Sequence, residues 1–271
     1  MYPKTDQDMF PTLHIGSLTI STHLVTNLLT LALFAFWVRR RVHRVLGKIS
    51  IHDEIDSIFN LFFAVLGGAW FGYTFPYLVR FILGESVPVG WVFQGTHWMG
   101  AIGGGFWAAY RYSKRRDLPF WELADCYAPL LALALAIGRI GCYLYADAYG
   151  KPTNSWVGMY LPDVFGEWTY RYPTQIASMI MNYLLAAILF GFEYYVGHQS
   201  NKPKGWPFDG FLFLLYVELY SLQRFYFEFW RGDQTMLTGT FSWTHLYCLI
   251  SIGLATWGMV LGFHGKLKAT G

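Results

Sequence analysis

Residues Phe120–Tyr145 read FWELADCYAPLLALALAIGRIGCYLY, a 26-residue stretch whose length and apolarity decide the fold. A helix that crosses a bilayer needs about 20 such residues. Six further stretches have comparable length: Ile20–Val38, Ser57–Leu83, Trp91–Tyr110, Gln175–Val196, Phe208–Glu228 and Ser242–Phe263. The expected fold is all-α, a single integral-membrane domain over residues 1–271 with seven transmembrane helices. Composition points the same way. Hydrophobic residues make up 54% of the chain and charged residues 14%, where a soluble domain carries about a quarter charged. The 12 Trp and 19 Tyr suit membrane–water boundaries. This balance excludes a disordered chain and a disulfide-built secreted module. A net charge of +3 on so apolar a chain excludes a dedicated nucleic-acid binder.

Basic residues set the expected orientation. Arg39, Arg40, Arg41, Arg44 and Lys48 follow the first span, and Arg111, Lys114, Arg115 and Arg116 follow the third. Lys202 and Lys204 follow the fifth, and Lys266 and Lys268 end the chain. The opposite tail and main loop carry only Lys4, Lys151 and Arg171. The positive-inside rule then puts the N-terminus outside and the C-terminus in the cytoplasm. Met1–His14 is polar and contains proline, so no cleavable signal peptide is expected. The long outer-side loop, residues 146–174, holds Pro152, Pro162 and Pro173, which break any long helix. Cys126, Cys142 and Cys248 have no metal-binding spacing, and no metal or cofactor is expected.

Charges at membrane depth are costly and face a cavity, a partner or the interface. Arg139 lies six residues from the outer end of its span, about 9 Å along a helix. Arg224 lies four residues from the outer end of span six, with Arg231 just beyond it. His97 sits six residues inside span three, and His23 three residues inside span one. Polar groups from four spans thus share one depth in the outer leaflet. Arg224, Glu228 and Arg231 are spaced i, i+4, i+7 and stack on one helix face. They read either as a self-neutralising, snorkelling cluster or as a glutamate that holds one guanidinium and leaves the other for an anion. Arg80 reads as a boundary residue. Asp56, Glu193 and Asp209 read as boundary or capping groups. Gly100, Gly103, Gly104 and Gly105 read as helix-packing positions, whereas Gly138 and Gly141 leave room around Arg139. His97 is as readily an interior histidine as a catalytic one, and His23 favours the interior reading.

Several of these residues fall in recognisable motifs. Gly138-Arg139-Ile140-Gly141-Cys142-Tyr143-Leu144, continuing to Tyr149-Gly150-Lys151-Pro152-Thr153, resembles the signature of prolipoprotein diacylglyceryl transferases. Arg171-Tyr172-Pro173-Thr174-Gln175 and Arg224-Phe225-Tyr226-Phe227-Glu228-Phe229-Trp230-Arg231 are similar to two further elements of that family. Leu237-Thr238-Gly239 with Phe241-Ser242, and Ile15-Gly16-Ser17-Leu18, resemble its entries to the last and first spans. The resemblance implies an enzyme of the bacterial cytoplasmic (inner) membrane. Its donor would be phosphatidylglycerol, drawn from the membrane lipid, and its acceptor the cysteine thiol beside a prolipoprotein signal peptide. It implies that Arg139 and Arg224 hold the lipid phosphate, that Glu228 orients Arg224, and that Arg231 assists. Gly138, Gly141, Cys142 and Asp147 would contact substrate, and His97 or His23 would be the base. The chain departs from the family pattern at His23, usually tyrosine, and at Trp98-Met99-Gly100, where His-Gly-Gly is usual and His97 stands one place early. Asp147 stands where glutamate is common, and Cys142 replaces a frequent asparagine. A divergent relative that binds phospholipid or lipoprotein without catalysis, or one that serves another acceptor, also fits these departures.

Overall fold

A computed structural model describes residues 12–16, 18–46, 51–82, 84, 98–163, 165–197, 206–234, 236 and 238–265. Strands β1 (Thr12–Ile15) and β2 (Leu18–Ser21) lead into helix α1 (Thr22–Leu46). Helices α2 (Ile51–Ile82), α3 (Trp98–Arg115) and α4 (Phe120–Tyr145) follow. After strands β3 (Met159–Pro162) and β4 (Trp168–Arg171) come α5 (Thr174–Phe192), a π-helical extension (Glu193–Gly197), α6 (Phe211–Glu228) and α7 (Trp243–Phe263). The chain is mostly helical, and each long apolar stretch of the sequence carries one of these helices. Phe120–Tyr145, Thr174–Val196 and Trp243–Phe263 are long and apolar enough to cross a membrane. The mostly helical chain carries two short antiparallel hairpins besides, β1–β2 and β3–β4. Each is closed by a left-handed glycine, Gly16 at φ 64° and Gly166 at φ 80°, a conformation glycine adopts without a Cβ penalty.

The described residues form two compact units, one drawn from 12–38 and 127–265 and the other from 39–126. In the second unit, α2 and α3 meet backbone to backbone. A Cβ on Gly100 would lie 2.0 Å from the Gly68 carbonyl oxygen, and one on Gly104 would lie 1.9 Å from that of Ala64. Close approach of this kind needs small residues, so Gly100 and Gly104 are packing positions. Gly103, with open space beside it, is not. Phe120 packs edge-on against Phe106 and Tyr110, and Arg41 Nε donates to the Cys126 carbonyl at 2.9 Å.

In the first unit, Ala128 and Ala132 of α4, Leu185, Ala186 and Leu189 of α5, and Leu212 and Tyr216 of α6 make one buried cluster. Small alanines on α4 admit the larger leucines of its neighbours. Gln223 Nε2 donates to Asn182 Oδ1 at 2.7 Å and fixes α5 against α6. On the other side of α6, Gly258 meets Leu214 and Gly262 meets the Phe208 ring, so α7 lies close along it. These contacts bring the ends of α4 and α6 and the starts of α5 and α7 to the site described next.

The α2–α3 packing has a direct consequence. Gly100→Ala drives a methyl into the Gly68 carbonyl and lowers stability by about 1–3 kcal/mol, as overpacking does. Gly103→Ala, placed in open space, leaves it unchanged or raises it by about 0.5–1 kcal/mol through helix propensity. Thermal unfolding of the two variants in detergent measures the contrast, and equal midpoints would refute this helix register.

Candidate functional site

The end of α4 is built around a glycine that cannot be replaced cheaply. A Cβ on Gly141 would sit 2.1 Å from Thr26 Oγ1 of α1, whereas Gly138 has open space. Between them stands Arg139, whose Nη1 lies 3.7 Å from the Cys142 sulfur. The charges of Arg139, Asp147 and Arg231 all act on this thiol. Beyond α4 the chain turns through Ala146 (φ 61°) and Ala148 (φ 54°). Left-handed backbone at a non-glycine residue costs on the order of 1–3 kcal/mol and persists only where its surroundings hold it. Here the first turn of α5 does so: Gln175 Nε2 donates to the Asp147 carbonyl at 2.9 Å, and Thr174 Oγ1 to that of Ala148 at 2.8 Å.

The connection from α4 to α5 is laced to the end of α6. Lys151 N–H donates to the Trp230 carbonyl and Gly232 N–H to that of Tyr149, each at 2.8 Å. On its other side the same segment pairs with β4, with Thr153 N–H donating to the Tyr170 carbonyl at 2.8 Å. A Cβ on Gly150 would lie 2.0 Å from the Tyr172 carbonyl oxygen, so only glycine fits between the two neighbours. Arg171 is buried and anchors the hairpin. Its Nη2 donates to Asp163 Oδ2 at 2.8 Å, and its guanidinium lies 5.2 Å over the Tyr149 ring. Asp163 Oδ1 also accepts from the amides of Phe165 and Glu167 at 2.9 and 3.0 Å, which closes the turn. Burial, with the charges of Asp163 and Asp233, holds the Tyr149 phenol above the usual tyrosine range, so it stays protonated.

Across from this, α6 presents its charged face. Arg224 Nη1 lies 2.6 Å from Glu228 Oε2, one turn on, and Glu228 is only 2% exposed. The other carboxylate oxygen, Oε1, accepts from Ser242 Oγ at 2.7 Å. Arg231 turns away to Asp233: its Nε donates to Oδ1 at 2.8 Å, and its Nη2 pairs with Oδ2. The expectation that Glu228 would leave Arg231 free therefore needs correction, because Asp233 takes it. Among the described residues Arg139 is the arginine of the group without a carboxylate partner, its polar contact being the Cys142 thiol. The charges of Arg231, Glu228 and Arg139 all act on Arg224.

Arg139, Cys142, Asp147, Arg224, Glu228 and Arg231 are thus brought into one electrostatic neighbourhood. His23 lies in the first turn of α1, with its side chain outside the described residues, and His97 lies outside them altogether. Ser242 appears in the sequence only as part of a motif, and Asp233, His245 and Asp163 escape it entirely. The one available signal is the Ser-x-x-His spacing at the start of α7, where a helix cap is expected. Chemically, partly buried guanidiniums, one of them without a carboxylate among the described residues, suit an anion held by charge-assisted hydrogen bonds.

Comparison with known proteins identifies the family of the chain. The model of a family described as prolipoprotein diacylglyceryl transferase matches residues 11–261. The chain belongs to that family. It is 36% identical to a phosphatidylglycerol–prolipoprotein diacylglyceryl transferase of Trichormus variabilis, over 51% of this chain and 49% of that protein. A Clostridium tetani protein of the same name is 32% identical over 66% of this chain and 70% of its own. One from Hydrogenovibrio crunogenus is 28% identical over 96% and 94%. The match thus spans about half the Trichormus protein and nearly all of the Hydrogenovibrio one.

The buried pair that anchors the hairpin gives its own test. Asp163→Ala leaves Arg171 buried without a counter-charge, and breaking such a pair from one side costs about 3–5 kcal/mol. The variant is expected to unfold at a markedly lower temperature, with protease cleavage appearing first between residues 146 and 174. Wild-type stability and protease resistance would show that the pair does not hold the loop.

Proposed function

We propose that this member of the family is a phosphatidylglycerol:prolipoprotein diacylglyceryl transferase of the bacterial cytoplasmic membrane. In this reading one membrane domain of seven crossing helices places the N-terminus outside and the C-terminus in the cytoplasm, as the basic residues favour. The arginine cluster then lies at the depth of the outer leaflet. Its substrates are phosphatidylglycerol, entering sideways from the membrane lipid, and the cysteine next to a prolipoprotein signal peptide. The observation that carries the reading is the grouping of Arg139, which among the described residues lacks a carboxylate partner, with an Arg224 held by buried Glu228.

The chemistry asks for that arrangement. The acceptor thiol gives up its proton to a base, since the thiolate is the nucleophile. Its sulfur then forms a bond to the glyceryl carbon of the diacylglyceryl group as that carbon's bond to the phosphate oxygen breaks. The bonding pair leaves with glycerol phosphate, whose new negative charge must be stabilised as it develops. Arg139 and Arg224 supply that stabilisation, and Glu228 keeps Arg224 aimed. Gly138 and Gly141 keep the helix around Arg139 narrow, Arg231 adds positive charge nearby, and Cys142 and Asp147 line the approach. His97 and His23 are the candidate bases. A divergent relative that binds lipid without transfer, or one with another acceptor, draws support from the altered Trp98-Met99 positions.

A transfer assay decides between them. Purified protein in phosphatidylglycerol-containing membranes, given a lipobox peptide, is expected to add one diacylglyceryl mass to the peptide thiol. Arg139→Ala lowers the rate by about 10²–10³-fold, the loss that follows removal of an electrostatic stabiliser. Of His97→Ala and His23→Ala, the one that removes the base lowers it by about 10²–10⁴-fold. Folded wild-type protein that binds phosphatidylglycerol but modifies no peptide would overturn the transferase reading in favour of the lipid-binding one.

A further inference from the structure

The start of α7 holds a second layer behind the arginines. Ser242 caps the helix and is fully buried, as is His245, three residues on. The rings of Phe225, Phe229 and Phe241 surround the imidazole, with centroids 4.9, 4.3 and 5.4 Å away. His245 Nδ1 accepts the Ser242 backbone N–H at 2.9 Å. A neutral imidazole has one proton, so that acceptance puts it on Nε2. The Ser242 hydroxyl lies 3.0 Å from the same Nδ1 and 2.7 Å from Glu228 Oε1. With the Nδ1 lone pair already engaged by the amide, the hydroxyl proton goes to the carboxylate, which is nearer and charged. Glu228 then has one oxygen on Ser242 and the other on Arg224. A carboxylate engaged at both oxygens is held in one orientation, which keeps the paired guanidinium beside it.

We propose that Ser242, its backbone amide held by His245 Nδ1, is a positioning residue that locks Glu228 and through it directs Arg224 at the phosphate of an anionic phospholipid. The inference rests on the transferase reading for its purpose, but its geometry is independent of the chemical step. Ser242 acts through Glu228, not on the substrate. Its loss should therefore have no further effect once Glu228 can no longer hold Arg224.

That dependence is measurable as a double-variant cycle in the full-length purified protein. Short-chain phosphatidylglycerol is titrated against phosphatidylcholine as the uncharged-headgroup control. Ser242→Ala and Glu228→Gln are each expected to weaken phosphatidylglycerol binding about tenfold, within the coupling range of residues in one network. The double variant is expected to bind no more weakly than Glu228→Gln alone, and Ser242→Thr, which keeps the hydroxyl, to stay within about threefold of wild type. Ser242→Cys, with a much weaker donor, enters the same cycle, so a failure of the alanine variant to fold leaves the question answerable. Wild-type affinity in Ser242→Ala, or losses that multiply in the double variant, would overturn the proposal, since a merely structural residue behaves in the second way. Wild-type protein that binds phosphatidylglycerol selectively but transfers nothing sinks the transferase reading and leaves this one standing. Absence of any preference for phosphatidylglycerol overturns both.

Discussion

Glu228 is a carboxylate 2% exposed on an apolar helix, and the rest of the site is arranged around keeping it there. An unpaired buried charge is costly, and removing one partner of a buried pair costs about 3–5 kcal/mol. Glu228 meets that demand with Arg224 from its own helix and Ser242 from the next, so the pairing fixes both a rotamer and the register of α6 against α7. The small residues along that interface permit the approach: Gly258 admits Leu214, and Gly262 admits Phe208. Close packing and charge pairing therefore support each other. A bulkier residue at Gly262 would run into the Phe208 ring and disturb the packing of α7 at that end of the interface.

The second requirement is a rigid connection between α4 and α5. Two left-handed alanines would be strained alone, but buried Thr174 and Gln175 hold their segment by its carbonyls. Gly150 then runs between β4 and the residues that follow α6, and the Arg171–Asp163 pair closes the hairpin behind it. The motif residues of the sequence are explained by this geometry more than by chemistry. Gly141 is small because Thr26 is there, Gly150 because the Tyr172 carbonyl is there, and Arg171 is spent on structure.

Much of this was legible from the residues. Apolar runs of membrane length located every helix, although α1 continues past Val38 to Leu46 and α2 starts before Ser57, because charged residues prolong helices as readily as apolar ones. The hairpins were not legible, since four-residue strands flanked by proline give almost no periodic signal. The i, i+4 spacing gave the Arg224–Glu228 pair. The same rule failed for Arg231 because α6 ends at Glu228. Beyond that point helical spacing no longer says where a side chain goes, and Asp233, two residues on, captures the guanidinium. Ser242 and His245 matter through a contact between two helices, which no local pattern reports.

The pairing pattern also bears on how a charged site in an apolar helix bundle can rest and still react. Arg139, Arg224 and Arg231 face three carboxylates, Glu228, Asp233 and Asp147. Formally the six groups balance, which is what a weakly polarisable surrounding favours in the absence of ligand. The balance is uneven in space, however. Glu228 and Asp233 are each bound to an arginine, while Arg139, among the described residues, has no carboxylate partner and contacts the Cys142 thiol. One end of the cluster is therefore closed and the other keeps a cation available. For the proposed transfer, a phosphodiester brings one negative charge to Arg139, and its departure as a phosphate monoester develops a second. Arg224 is already aimed when that charge appears, so stabilising it requires no reorganisation, the condition under which electrostatic catalysis is strongest.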